Sequence, residues 1–208
     1  MIPVNIMEKL TELQVNGNDA LGILIRHAER EPIRTAQDAP LAPLTEKGRK
    51  EARVLGTILR GIPVHRIFSS PIERCIDTAQ CVAEGMGKKK EIQKNSVLLK
   101  AYIDNWEIAS KEIFRENPMQ IIRDYLMGQT VPGMASIAKG SHKLLQFVYQ
   151  NVVEGKISLF FTHDALIMPF WQHYTGAKFP RDAIVPFLGA SIIRIENRKT
   201  FVDSIEVS

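Results

Sequence analysis

The sequence lacks several features that would place it in a specialised class of protein. Its 208 residues contain only two cysteines, no Gly/Ser-rich linker and no internal repeat. No stretch approaches the roughly 20 consecutive apolar residues of a membrane-spanning helix. The first 20 residues have no basic segment followed by an apolar signal core. We therefore expect a cytoplasmic protein with no membrane partner, folded as a single domain over residues 1–208.

The two cysteines do not suggest a disulfide. Cys75 and Cys81 lie six apart in a predicted helix, where side chains at that spacing point about 240° apart. Both are therefore expected to be free thiols in a reducing compartment.

The excess of positive charge is modest. There are 27 Lys and Arg residues against 23 Asp and Glu, which gives a formal net charge of +4. The basic residues are spread along the chain, and the one run, residues 88–90, is followed directly by Glu91 and is typical of a solvated loop. This balance suits a small anionic ligand and does not indicate nucleic acid as a partner.

Apolar segments and helical patterns alternate along the chain. The pattern predicts three strands (residues 21–25, 66–69 and 157–161), three helices (46–59, 72–84 and 143–153) and a terminal hairpin (190–195 with 201–207). Thr45, Pro71 and Ser141 are the residues expected to begin the three helices. Alternation of this kind predicts an α/β fold, a three-layer α/β/α sandwich with a mostly parallel central sheet.

The segment at about 101–140 fits the alternation poorly. We interpret it as a helical insertion that covers the site as a lid, with the rings of Trp106, Phe114 and Tyr125 in its core.

Reactive side chains follow the three predicted strands. Arg26 and His27 come after the first, residues 69–70 end the second, and His163 and Asp164 come after the third. Because the carboxyl ends of parallel strands meet at one edge of a sheet, we expect these groups to converge.

The first of these groups indicates an anion. Arg26 and Arg30 bracket His27, and a guanidinium carries a planar fork of donors that matches phosphate oxygens. Burying two guanidiniums without an anion would cost on the order of several kcal/mol. A metal site built from His27, His163, Asp164 and Glu29 is disfavoured because neighbouring arginines would repel a cation. We therefore expect a phosphate or carboxylate ligand, no metal and no cofactor.

Four segments together resemble one known family. RHAEREP (26–32) resembles the RHGxRxP motif of the histidine phosphatase, or phosphoglycerate mutase-like, superfamily, with Ala28 in place of its Gly. LTEKGRKEA (44–52), SSPIERCIDTA (69–79) and FFTHDALI (160–167) are similar to that family's LTxxGxxxA helix opening, its SSPxxRxxxTA segment and its strand with a second catalytic His. The four matches occur in the family's order.

The resemblance implies a role for each matching residue. His27 would be the nucleophile that forms a phosphohistidine, and Arg26, Arg30 and Arg74 would hold the phosphoryl oxygens. His163 would donate a further hydrogen bond to them. The implied function is a metal-independent phosphomonoesterase acting on a small phosphorylated metabolite.

The general acid has more than one candidate. Asp164 is favoured, because the acid-phosphatase branch of the family uses the Asp of its His-Asp pair, and the RHxxRxP form of the first motif points to that branch. The mutase-like branch takes a Glu from the segment after the third strand of the sheet, where this chain offers Asp104 and Glu107. A general acid must reach the leaving oxygen.

Three alternatives use the same fold. They are a phosphohistidine-protein phosphatase, a phosphoglycerate-type mutase and a module that binds a phosphorylated ligand without turnover. The mutase is disfavoured because the middle region lacks the mutase-like glutamate pattern, and the module because His27, His163 and the arginines are all present. Substrate identity and oligomeric state stay open.

Overall fold

Strands and helices alternate along the chain in the computed structural model, which describes residues 19–33, 35, 38–115, 118–178, 183–197 and 199–203. The strands are β1 (Ala20–Arg26), β2 (Val64–Ser69), β3 (Ile92–Lys94), β4 (Lys156–Thr162), β5 (Ala190–Glu196) and β6 (Lys199–Asp203). The helices are α1 (Glu46–Ile58), α2 (Glu73–Gly85), α3 (Val97–Lys100), α4 (Trp106–Arg115), α5 (Pro118–Leu126), α6 (Ile137–Tyr149) and α7 (Asp164–Thr175).

The strands form one sheet in the order β3-β2-β4-β1-β5-β6. Pairing is parallel from β3 to β1, whereas β5 and β6 are antiparallel to their neighbours. This confirms the mostly parallel sheet and the terminal hairpin, although residues 204–207 of the predicted second hairpin strand lie outside the described residues. The carboxyl ends of β2, β4 and β1 are therefore next to one another.

Helices cover both faces of the sheet, which confirms the three layers. Alternate residues of β1 divide between two cores: Ile23 and Ile25 pack with α1 and α2, and Leu24 packs with α6 and α7. Gly22 lets α6 approach β1, because a Cβ there would lie 2.5 Å from Val148 Cγ1.

The start of α1 agrees with the sequence, α2 begins two residues after Pro71 with Ile72 at its N-cap, and the start of the third predicted helix differs. The hydroxyl of Thr45 accepts a hydrogen bond from the amide of Gly48 at 2.9 Å and caps α1. The third helix begins near residue 137, where Ser136 is the cap, so the prediction of Ser141 is wrong. Ser141 lies inside α6, fully buried, and shares a 2.9 Å hydrogen bond with the Tyr102 hydroxyl.

Residues 101–140 contain α4, α5 and the start of α6, which confirms a helical segment. Tyr125 is buried there and donates to the carbonyl of Ala135 at 2.8 Å. Trp106 and Phe114 contact each other but remain 43% and 37% exposed, so the prediction that they are core residues is wrong. That this segment covers the site stays a prediction.

Two further expectations concern the cysteines and the membrane. Cys75 and Cys81 are free and buried. Among the described residues, no helix combines the length and apolar character that crossing a membrane requires.

Candidate active site

The three central strand ends converge at one edge of the sheet. The amide of His27 donates to the carbonyl of Thr162 at 3.0 Å, and the amide of Ser70 donates to the carbonyl of Phe161 at 2.9 Å. The rings of His27 and His163 lie 5.5 Å apart. The predicted convergence is confirmed.

The imidazole of His27 is held in one orientation. Its Nδ1 lies 2.8 Å from the carbonyl oxygen of Ala28, and its Nε2 lies 3.1 Å from the Nε of Arg74. A carbonyl only accepts and a guanidinium only donates, so the proton is on Nδ1 and the lone pair is on Nε2. Burial, with help from the neighbouring His163 and from the charges of Arg74 and Arg26, holds the pKa of His27 well below its ordinary value. A neutral imidazole with Nε2 free of a proton can act as a nucleophile.

The guanidinium of Arg26 is buried and fixed on several sides. Its Nη1 donates to the carbonyl of Val185, its Nη2 lies 2.7 Å from a carboxylate oxygen of Asp164, and its Cζ lies 4.3 Å from the ring centre of Phe187. Burial lowers the pKa of Arg26, and Asp164 opposes this effect. Even so, a guanidinium stays charged in a protein.

Arg74 lies between the two histidines. Besides its contact with His27, it donates through Nη1 to the carbonyl of Ala39 at 2.6 Å and through Nη2 to His163 Nδ1 at 3.4 Å. Arg74 is near the start of α2, so the short turn after β2 brings it to the strand ends. Its Nε and Nη2 therefore face the two imidazoles.

Arg30 completes a cluster of three cations. Its Nη1 donates to the carbonyl of Glu31 at 2.8 Å. Burial lowers the pKa of Arg30, and the charges of Arg74 and Arg26 add to this, whereas Asp164 opposes it. The mutual repulsion of the cluster favours binding of an anion.

His163 is bound through both ring nitrogens. Its Nε2 lies 2.9 Å from the hydroxyl of Ser70, while Nδ1 faces Arg74. Burial and the nearby arginines lower the pKa of His163 to about 3, so the ring is neutral in the absence of an anion. Ser70, which the sequence placed at the end of the second predicted strand, thus contacts the second histidine.

The candidate acids differ in position. Asp164 contacts Arg26 within the site. Both carboxylate oxygens of Asp104 lie 2.8 Å from Lys139, and Glu107 pairs with Lys111 at 3.2 Å with its side chain 83% exposed. The structure therefore brings together His27, His163, Asp164 and the three arginines, but it places Asp104 and Glu107 in contacts outside this group.

Glu29, inside the RHAEREP motif, has structural contacts. Its carboxylate pairs with Lys47 and accepts from the Thr45 hydroxyl at 3.1 Å.

In the described ranges, no three His, Cys, Asp or Glu side chains are grouped so that they could hold a metal ion.

Three contributors to the site carried no sequence signal. They are the carbonyls of Ala39 and Val185 and the ring of Phe187, whose centre lies 5.7 Å from that of His27. Backbone carbonyls cannot be recognised from residue type, and the segment around Phe187 has no motif. For Ser70, the serine pair after a strand was the available signal.

The structure is that of an α/β protein whose central strand ends group two histidines and three arginines, a set of side chains that suits an oxyanion. The family model of the histidine phosphatase superfamily (branch 1) matches residues 23–207. The chain therefore belongs to the histidine phosphatase superfamily, as the four motifs predicted.

Individual relatives agree with this placement. The chain is 38% identical over 88 residues to the adenosylcobalamin/alpha-ribazole phosphatase of Salmonella typhimurium. The matched residues make up 41% of this chain and 42% of that protein. The chain is 37% identical over 73 residues to the 2,3-bisphosphoglycerate-dependent phosphoglycerate mutase of Thermoplasma acidophilum, 33% of this chain and 36% of that protein. These matches thus span less than half the length of either curated relative.

A solved structure shows the same fold over almost the whole chain. It is phosphoserine phosphatase from Entamoeba histolytica in complex with 3-phosphoglyceric acid, with a TM-score of 0.62, 23% sequence identity and coverage of 90% of this chain and 97% of that chain.

The branch assignment corrects one expectation. The first motif was interpreted as pointing to the acid-phosphatase branch, but the matching model is that of branch 1, and a phosphoglycerate mutase is among the relatives. The contact between Asp164 and Arg26, and not the branch, is therefore what favours Asp164 over the other candidate acids.

Proposed function

We propose that the protein is a metal-independent phosphomonoesterase that forms a phosphohistidine on Nε2 of His27. The observation that carries this proposal is the state of the imidazole. Its Nδ1–H is bound to the Ala28 carbonyl, and its Nε2 lone pair is directed to the Arg74 guanidinium, where an anion would bind. Attack by Nε2 on phosphorus forms the N–P bond and breaks the bond to the leaving oxygen.

Arg26, Arg30 and Arg74 bind the equatorial phosphoryl oxygens, with His163 as a further ligand. A phosphoryl transition state spreads negative charge over these oxygens, so fixed cationic donors lower its free energy. The multiply bonded guanidiniums of Arg26, which is buried, and of Arg74, which is half-buried, support this role, since they need little reorganisation on binding.

Asp164 is the proposed general acid. It begins α7 directly after His163, and its carboxylate is the candidate that contacts a site arginine. In the first step the protonated carboxyl gives its proton to the leaving alkoxide. In the second step the carboxylate takes a proton from the water that attacks the phosphohistidine, and phosphate is released.

The proposed substrates are small phosphorylated metabolites. The relatives named above include an adenosylcobalamin/alpha-ribazole phosphatase and a phosphoserine phosphatase solved with 3-phosphoglyceric acid, both of which support a phosphorylated metabolite as the substrate. The formal net charge of +4 is compatible with an anionic substrate.

The test is phosphate release from a panel of phosphomonoesters between about pH 5 and about pH 7.5 with a chelator present. His27→Ala should lower turnover by at least about 1,000-fold, whereas the matched change His142→Ala, on an exposed histidine, should stay within about twofold of wild type. Rapid-quench trapping should detect a phosphohistidine in wild type only. Full activity of His27→Ala would refute the assigned nucleophile.

A phosphoglycerate-type mutase is a second candidate because a phosphoglycerate mutase is among the relatives. Incubation with 3-phosphoglycerate separates the two functions: a mutase yields 2-phosphoglycerate, whereas a phosphatase yields glycerate and phosphate. Isomer formation faster than phosphate release would favour the mutase.

A further inference from the structure

Ser70 contacts the second histidine of the site from the side away from Arg74. Its Oγ lies 2.9 Å from Nε2 of His163, and both side chains are buried. The same Oγ lies 3.4 Å from the amide of Ile72, which can only donate to it. Ser70 follows β2 directly, where the Ser70 amide is fixed by the sheet hydrogen bond to Phe161.

The contacts of His163 specify where its proton lies. Nη2 of Arg74 is 3.4 Å from Nδ1, and a guanidinium nitrogen has no lone pair with which to accept. Nδ1 is therefore the accepting nitrogen, and the single proton of the neutral ring is on Nε2, from which it is donated to Ser70. The low pKa of His163 agrees with a neutral ring.

Cys75 also touches this ring but does not select a tautomer. Its Sγ lies 3.6 Å from Nε2 and 3.9 Å from Nδ1 of His163, and its thiol is directed to the carbonyl of Thr162 at 3.5 Å. Sulfur is a weak acceptor, and the two distances are similar. The contacts of Arg74 with Nδ1 and of Ser70 with Nε2 are thus the ones that distinguish the nitrogens.

We propose that Ser70 is a positioning residue that binds Nε2–H of His163 and thereby keeps Nδ1 directed to the phosphoryl group, to which Nδ1 donates a hydrogen bond after taking the proton of a monoprotonated phosphoryl oxygen. The orientation of the ring follows from the Ser70 and Arg74 contacts together, whereas the phosphoryl group as its target rests on the proposed function. Without the hydroxyl, the buried Nε2–H would lose its acceptor. Moving the proton to Nδ1 or turning the ring would then lower the free energy of the site.

The experiment measures the ¹⁵N shifts of the histidine ring nitrogens, which report the tautomer directly. The variants are Ser70→Ala, Ser70→Thr, which keeps a hydroxyl, and Ser69→Ala. Ser69 is the matched control because it is equally buried and donates to the Ser70 carbonyl at 2.8 Å. His163 should be the Nε2–H tautomer in wild type, Ser70→Thr and Ser69→Ala, and should lose this preference in Ser70→Ala.

Addition of inorganic phosphate tests which nitrogen faces the ligand. In wild type the shift change should be confined to Nδ1, with Nε2 still protonated. In Ser70→Ala, kcat/KM should fall by about tenfold or more, and Ser70→Thr should restore most of it.

The wild-type spectrum needs no variant to fold and can overturn the proposal alone: an Nδ1–H tautomer in the free protein would exclude it. Unchanged tautomer and kcat/KM in Ser70→Ala would also exclude it. Failure of the proposed function has a different result, namely no phosphate release from any ester by wild type, with the Ser70-dependent Nε2–H tautomer still present.

Discussion

At the scale of single residues, the site depends on neighbours in sequence that have different partners in space. His163 follows β4 directly and contacts Ser70, whereas Asp164 is the first residue of α7 and pairs with Arg26. A helix N-terminus favours a negative side chain. The dipeptide thus supplies the site with a neutral ring and an acid through one change of backbone direction.

Asp164→Asn should lower kcat by about 100-fold for alkyl phosphates, because an amide cannot protonate the leaving alkoxide. The loss should be smaller for p-nitrophenyl phosphate, whose leaving group needs little protonation. Steady-state rates on both substrates measure the difference.

The controls are Asp104→Asn and Glu107→Gln, whose carboxylates pair with Lys139 and Lys111. Both should keep kcat within about twofold of wild type. A larger loss in either control than in Asp164→Asn would transfer the general-acid role to that residue.

At the scale of elements, two glycines set the distance between α1 and α2. A Cβ on Gly56 would lie 2.1 Å from the carbonyl oxygen of Val82, and one on Gly85 would lie 2.0 Å from that of Arg53. The helices therefore pack backbone against backbone. Since α2 carries Arg74, this contact between the two helices also helps to fix the position of the Arg74 guanidinium.

Gly56→Ala should lower the free energy of unfolding by about 1–3 kcal/mol, because backbone atoms must move to admit the methyl group. Val54→Ala is the matched control on the same helix, where Val54 is 44% exposed, and should cost about 0.5 kcal/mol or less. Urea unfolding measures both. Equal stability of Gly56→Ala and wild type would show that the helices can separate at no cost.

The sequence predicted the elements that have strong patterns and missed those that depend on tertiary contacts. β1 and β4 were recognisable because they are apolar on both faces. Only the end of β2 was recognised, since its His65 is half-buried and its Arg66 is exposed. β3 has only three residues and lies at the sheet edge, so no pattern could emerge. Ser141 resembled a cap but is buried against Tyr102, and only the fold reveals that partner.

The same limit applies to the site. The motif residues were identifiable because guanidiniums and imidazoles have few roles beside one another. The carbonyls of Ala39 and Val185 hold Arg74 and Arg26 as directly as any side chain. They act through backbone geometry, which residue type does not encode.

At the scale of the whole molecule, the cationic site makes stability depend on anions. Inorganic phosphate should raise the free energy of unfolding by RT ln(1 + [L]/Kd), about 2.7 kcal/mol at 100 times Kd. Arg74→Gln should reduce this gain, because it removes the donors that face His27. Thermal unfolding with phosphate, and with chloride at equal ionic strength, separates specific binding from screening. Equal effects of the two salts would contradict a phosphate site.

Stability should also fall as the pH falls below about 6.5, the ordinary value for histidine. The pKa values of His27 and His163 are lower in the folded chain, chiefly through burial, that of His163 reaching about 3. Between the folded and unfolded values the unfolded chain binds more protons, so acid favours unfolding. Each ring contributes at most about 1.4 kcal/mol per pH unit.

Urea unfolding in steps from about pH 7 to about pH 4 measures this slope, and His163→Asn should make it shallower because one buried neutral ring is removed. Val54→Ala, at an exposed position of α1 without an ionisable group, is the matched control and should leave the slope close to that of wild type. A slope that His163→Asn does not change would mean that the ring takes up its proton equally in both states. Burial and the three neighbouring guanidiniums oppose that outcome, because both disfavour a positive charge on the ring of the folded chain. The same concentration of buried positive charge that suits an anion is therefore expected to make the fold sensitive to acid.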